Sequence, residues 1–132
     1  LAQVVDGERV EAKVGEIPED FDAIDIGSET AAKYAKAIMD AKTVFANGPV
    51  GVFEKPWGEA GTKALFEALA NTEAYTVVGG GDSVTAAAKY GVTDRLGYIC
   101  TGGGALIRFL TGEELPGVHA LRHAAKAFPV EA

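Results

Sequence analysis

The chain has 132 residues, enough for one buried core and short for a two-domain enzyme. Apolar residues make up 48% and charged residues 23%, the mixture of a packed domain and not of a disordered chain. Acidic residues outnumber basic ones by 19 to 12, for a net charge of −7 with no cluster of lysine and arginine, which argues against nucleic acid and anionic membranes as partners.

Leu1 opens a strand-like run without an initiator methionine or a leader, so the chain reads as a fragment or an excised domain. LAQVV and RVEAKV alternate apolar and polar residues around Asp6-Gly7, the dipeptide that best tolerates a tight hairpin turn. After the linker GEIPED, FDAIDIG predicts a short strand. SETAAKYAKAIMDA then predicts a helix with Ser28 as its N-cap and Ala31, Ala35, Ile38 and Met39 along one face.

The strand-then-helix unit recurs. TVFAN leads through the loop GPVGVFEKPWGEAG, in which Trp57 is expected either to pack the loop or to meet chain outside this segment, to the helix TKALFEALAN. YTVVG leads through GGD to SVTAAAKYG, and RLGYICT through GGG to ALIRFLTG, before Pro116 opens a last helix. Four strands separated by helices, with no tight hairpin between them, predict right-handed crossovers and a parallel sheet covered on both faces. The expected class is α/β: an open, doubly wound parallel sheet in a three-layer, Rossmann-like arrangement. No run approaches the roughly 18 apolar residues of a membrane span. The single cysteine, Cys100, excludes an internal disulfide framework and fits a cytoplasmic location.

In an open parallel sheet, ligands bind beyond the carboxyl ends of the strands. Asn47, Gly79–Ser83 and Thr101–Gly104 all fall at that edge. A helix N-terminus presents unpaired N–H groups and a partial positive charge, and glycine lets an anion approach the backbone closely. Two triple-glycine clusters at one edge therefore point to a phosphate chain, against the plainer reading of tight turns. The net negative charge does not forbid this, because oriented amides act at close range while distant carboxylates are screened beyond about 10 Å. The dinucleotide fingerprint fails at Val84 and Ile107, and Gly58–Lys63 lacks the spacing of a P-loop.

Asp82 is expected to cap a helix starting at Ser83, and as a functional group it is suited to hold Mg²⁺ against nucleotide phosphates. Glu54 is either a solvated carboxylate or an acceptor for ribose hydroxyls. Asn47 is either a turn former or an amide donor to phosphate. His119 and His123 have chelating i, i+4 spacing but no third ligand, and read as surface residues. No histidine is placed to activate Cys100 as a nucleophile, so it reads as a small buried hydrophobe.

Taken in order, NGPVGVFE, GTKALFEALA, TVVGGGDSVTAA, YICTGGGALIRFL and GEELPGVHAL closely resemble the C-terminal part of phosphoglycerate kinases, and FDAIDIGSETAAKYAKAIMDAKTV extends the likeness upstream. The wording CTGGGALIRFL resembles archaeal forms. The resemblance implies that residues 1–132 are the C-terminal portion, about half, of the nucleotide-binding domain, without the N-terminal substrate domain. It implies that Glu54 binds the nucleotide ribose and that Val52 lines the adenosine side. Asn47 and Gly80, Gly81, Asp82 and Ser83 would meet the phosphates, with Asp82 as the magnesium carboxylate. Gly102, Gly103 and Gly104 would stabilise the phosphoryl group in transfer. ATP or ADP with Mg²⁺ and 3-phosphoglycerate, the latter through the missing domain, are the implied ligands of a monomeric, cytoplasmic parent enzyme. Two other classes remain open at this point: a free-standing, non-catalytic nucleotide- or phosphate-binding module, and a purely structural domain.

Overall fold

The structure, a computed structural model, describes residues 1–13 and 15–128. Strands β1 (Ala2–Val5) and β2 (Glu8–Glu11) form the expected antiparallel hairpin, with Gln3 opposite Val10. Its turn holds Asp6 at φ 51° and Gly7 at φ 84°, the pair of left-handed residues that a two-residue hairpin of this hand requires.

A second sheet contains β3 (Thr43–Asn47), β4 (Tyr75–Gly79) and β5 (Tyr98–Cys100), all parallel and in that order. Helices α2 (Ala60–Asn71) and α3 (Gly81–Lys89) make the two crossovers, and α1 (Ser28–Asp40) packs against α2. Both crossovers advance across the sheet in the same direction, so a right-handed chain lays both helices on one face. The core lies there: Phe66 and Leu69 of α2, Val78 of β4 and Ala86 and Ala87 of α3 are buried together, with Val44 and Ala46 of β3 packed against them. Each fully buried residue of the size of Leu69 contributes about 1.5–3 kcal/mol.

Strand alternation sends Phe45, Tyr75 and Tyr98 to the other face, where they remain 43%, 57% and 52% exposed. Helix α4 (Gly103–Leu110) approaches this face through Leu106 in its first half, which lies against Gly79 at the end of β4. Helix α5 (Pro116–Ala127) starts at the proline as expected, and neither α4 nor α5 has a buried residue.

Three local expectations are corrected. FDAIDIG is not a strand of the parallel sheet, which therefore has three strands and not four. Its only ladder contact is an antiparallel bridge from Asp25 to Ala2, because Ala2 N–H donates to Asp25 O at 2.9 Å and Ile24 N–H to Ala2 O at 2.9 Å. Its polar backbone is thus satisfied by the hairpin. Ser28 is the first helical residue, and the N-cap is Gly27. The cap function comes from a distance: Glu11 of β2 accepts from Ser28 N–H at 2.8 Å and from Ser28 Oγ at 2.7 Å, a carboxylate placed where the helix dipole favours it. Likewise α3 begins at Gly81 with Gly80 as N-cap, so Asp82 lies inside the first turn and does not cap it.

Candidate phosphate-binding edge

The parallel register places Asn47 beside Gly79 and Gly79 beside Cys100, so the three strands end level and deliver their loops to one edge. Gly80 turns the chain out of β4 at φ 95° and ψ 144°, and its N–H donates to Cys100 O at 3.2 Å. Only glycine adopts that backbone without strain. Gly103 has φ 30°, and a Cβ built on it would stand 3.6 Å from Gly80 Cα, so the two glycine turns lie side by side. The N-termini of α3 and α4, two sets of unpaired N–H groups, therefore open side by side.

Ser83 is buried, and its Oγ accepts from Gly48 N–H at 2.7 Å, which pins the turn after β3 to the first turn of α3. Asn47 lies against the same turn: its Oδ1 would be 3.4 Å from a Cβ at Gly80 and its Nδ2 3.1 Å from one at Gly79. Asp82, Gly81, Gly102 and Gly104 are exposed at this edge. Asn47, Gly80–Ser83 and Gly102–Gly104 are thus brought together. The edge is open; the nearest groove runs from Gly104, Ala105 and Arg108 to Leu115, Pro116 and Leu121.

Val52 and Glu54 stand apart on the loop 48–59, both exposed. The loop is folded back on itself, with Phe53 N–H donating to Gly51 O at 2.8 Å and Lys55 N–H to Val52 O at 3.0 Å, and Phe53 is buried in the core. Trp57 is half-buried on this loop, and its carbonyl accepts from Arg9 Nη1 at 3.1 Å. Beneath the loop lies Tyr90, tilted on Phe66 with ring centroids 6.2 Å apart. Burial, aided by the negative charges of Glu59, Asp25 and Glu54, pushes the Tyr90 hydroxyl up to about 12.

The sequence reading missed the group that anchors this loop to the hairpin. Asp25, 3% exposed, accepts from Arg9 Nη1 at 3.0 Å, from Ile26 N–H at 2.8 Å and from Gly61 N–H at 2.8 Å. A Cβ on Gly51 or Gly61 would overlap its Oδ1, so the carboxylate occupies a cradle that only glycines leave open. A carboxylate within the apolar run AIDIG was the available signal, since a buried charge requires a partner. His119 and His123 are exposed on α5, where His119 Nδ1 lies 2.9 Å from Glu114 Oε2. Cys100 is half-buried. Among the described residues no three His, Cys, Asp or Glu side chains form a metal-binding group, and no helix is long and apolar enough to cross a membrane.

The fold and this edge define an α/β protein of the Rossmann-like class, whose parallel sheet ends in glycine turns that open helix N-termini toward a ligand. The sequence profile of the family "Phosphoglycerate kinase" matches residues 2–113. The chain belongs to the phosphoglycerate kinase family. It is 50% identical over 116 residues to the phosphoglycerate kinase of Desulfosudis oleivorans, covering 88% of this chain and 29% of that protein. To the phosphoglycerate kinase of Desulfovibrio desulfuricans it is 54% identical over 113 residues, covering 85% of this chain and 29% of that one. Among solved structures, the phosphoglycerate kinase of Pyrococcus horikoshii superposes with a TM-score of 0.81 at 40% identity, over 96% of this chain and 32% of the other. The chain therefore spans about 29% of the length of these curated relatives.

Proposed function

We propose that this chain supplies the nucleotide-phosphate part of a phosphoglycerate kinase, which passes a phosphoryl group between ATP and the carboxylate of 3-phosphoglycerate to give ADP and 1,3-bisphosphoglycerate. The observation that carries the reading is the placement of the Gly80 and Gly103 turns side by side, which sets two helix N-termini at one edge. In this reading residues 1–132 are the C-terminal portion of the nucleotide-binding domain, and the phosphoglycerate meets a part of the enzyme outside this chain. The parent works in the cytoplasm as a monomer.

Phosphoryl transfer depends mainly on positioning and on stabilising charge at the phosphoryl oxygens. Here the N–H groups at the start of α3 hold the nucleotide phosphates, with the Asn47 amide beside them, and those at Gly102–Gly104 meet the oxygens of the group in transfer. Water and its competing hydrolysis are kept out by the covering parts of the parent enzyme. The acceptor is a carboxylate, ionised at neutral pH, so no general base is required to create the nucleophile.

Asp82 suits a magnesium ion: a single exposed carboxylate in the first turn of α3, bound to no backbone N–H as a cap, matches an ion that takes one or two protein oxygens and otherwise water and phosphate. When bound, the ion neutralises the phosphate charge. Glu54 accepts hydrogen bonds from the ribose hydroxyls, and Val52 gives the adenosine an apolar contact.

The test is turnover by a full-length phosphoglycerate kinase carrying this segment, with and without Asp82→Ala. The expected outcome is a loss of activity with Asp82→Ala of about a hundredfold or more, partly offset by raised magnesium. Unchanged turnover would remove Asp82 from the site. The isolated chain is expected to bind Mg-ADP weakly and to turn nothing over; tight, magnesium-dependent binding in calorimetry without turnover would favour a free-standing nucleotide-binding module.

A further inference from the structure

The loop 48–59 is held at its start by Ser83 and Thr62, whose hydroxyls accept from Gly48 N–H and Val50 N–H, and along its length at three further points. Val52 N–H donates to Ile24 O at 2.9 Å, and Arg9 reaches the Trp57 carbonyl. The third is Lys89, the last residue of α3. Its Nζ donates to the carbonyl oxygen of Phe53 at 2.5 Å and pairs with Glu59 Oε2 at 2.6 Å.

Lys89 differs from the other two of these in starting on α3, the helix that also holds the loop's first residue through Ser83. It stands at one end of the helix whose other end is the Gly80–Ser83 turn, about 12 Å away along a rigid rod. Phe53 directly precedes Glu54, and its ring is fixed in the core at 3% exposure, so the grip on its carbonyl acts on the peptide unit that leads into Glu54. The ammonium is only partly solvated, with the two side chains 37% and 28% exposed, and it lies 5.7 Å from the centroid of the Tyr90 ring. A charged donor on a backbone carbonyl is among the stronger hydrogen bonds a side chain makes. A lysine that only complemented the helix dipole would not need to close on two points of another loop.

We infer that Lys89 is a positioning residue, which sets the Glu54 carboxylate at a fixed distance from the phosphate turn and thereby governs discrimination for the ribose hydroxyls of the nucleotide. The inference rests on the reading of Glu54 as the ribose acceptor. Without Lys89 the core still holds the Phe53 ring, but the Phe53–Glu54 peptide is free to turn. Hydrogen bonds to hydroxyls lose strength steeply with misalignment, whereas the phosphate turn, built from α3 itself, is unaffected.

The experiment compares ADP with 2′,3′-dideoxy-ADP as phosphoryl acceptors in a full-length phosphoglycerate kinase carrying this segment. The ratio of kcat/KM for the two nucleotides is measured in the wild type and in Glu54→Ala, Lys89→Met, Lys89→Arg and Glu59→Gln. Glu54→Ala is expected to lower the ratio about tenfold and Lys89→Met about fivefold, through KM for ADP with kcat within about twofold. Lys89→Arg restores most of the ratio, and Lys89→Met adds little on top of Glu54→Ala, since both act through one carboxylate. If Lys89→Met lowers the melting temperature and leaves the ratio intact while Glu54→Ala collapses it, Lys89 is merely structural and the inference fails. An unchanged ratio in Glu54→Ala removes the ribose role of Glu54 itself and the inference with it. Should Lys89→Met not fold, Glu59→Gln, which removes the carboxylate that holds the ammonium against the Phe53 carbonyl, decides between the two: a fall of about twofold supports the inference and no change overturns it.

Discussion

The turn from β4 into α3 and the turn from β5 into α4 carry the same three glycines and are secured by different means. The first is built into the core. Its Ser83 accepts from Gly48 across to the next loop, and the helix behind it buries Ala86 and Ala87 completely. The second leads into a helix with no buried residue, which leaves Phe109 and Leu110 at 65% and 58% exposure. Its attachment is the placement of Gly103 beside Gly80 and the approach of Leu106 to Gly79. Identical local composition thus gives one turn fixed by packing and one whose helix depends on little else. On the proposed reading, the firmly packed turn suits the nucleotide phosphates and the loosely attached one the group in transfer.

This contrast can be broken by substitution, with unfolding of the chain in urea as the measurement. The largest effect is expected for Gly80→Val, where φ 95° is hostile to a β-branched residue and Asn47 stands against the new side chain; about 2–3 kcal/mol should be lost. Ser83→Ala leaves the Gly48 N–H without its partner and should lose about 1–2 kcal/mol. Gly103→Ala, at φ 30° with room for a Cβ, should lose about 1 kcal/mol, and a loss equal to that of Gly80→Val would erase the proposed difference between the turns. Gly104→Ala meets open space in a helix and should gain about 0.5 kcal/mol in stability.

A smaller test concerns the floor of the loop that carries Glu54. The Tyr90 hydroxyl is raised in the folded state, chiefly by burial, so folding favours its neutral form. The stability this provides is complete below the unfolded value near 10 and declines as pH rises toward about 12. Tyr90→Phe should remove that part of the alkaline decline, read as a gap between the two proteins' urea midpoints that moves in the variant's favour from pH 9.5 to 11.5, roughly the span of the two values. Parallel curves would place the hydroxyl in contact with solvent.

Much of this was legible in the sequence because it is local. Asp6-Gly7 specified the hairpin through its left-handed conformations, Pro116 marked the start of α5, and the repeating strand-and-helix periodicity gave the α/β class. The glycine clusters identified the edge, since strand ends in a parallel sheet fall together whatever the rest of the chain does. The errors were at positions where a distant residue replaced the local rule. Ser28 has the chemistry of an N-cap, yet Glu11 satisfies that helix end from the hairpin. The FDAIDIG segment has strand propensity, yet Asp25 is claimed by Arg9 and Gly61 and pairs its backbone with Ala2.

What the sequence determined by itself was therefore the hairpin, the helices and the three paired strands of the parallel sheet, their order and the glycine loops gathered at one edge, all consequences of backbone preference and hydrophobic period within a few residues. Only the tertiary structure decided which glycine turn is pinned to the core, that Gly80 and Gly103 lie side by side, and that Lys89 joins the end of α3 to the loop of Glu54. These are contacts between groups far apart in the chain. They are fixed by how the helices pack on the sheet and by the need of each buried charge and backbone group to find a partner.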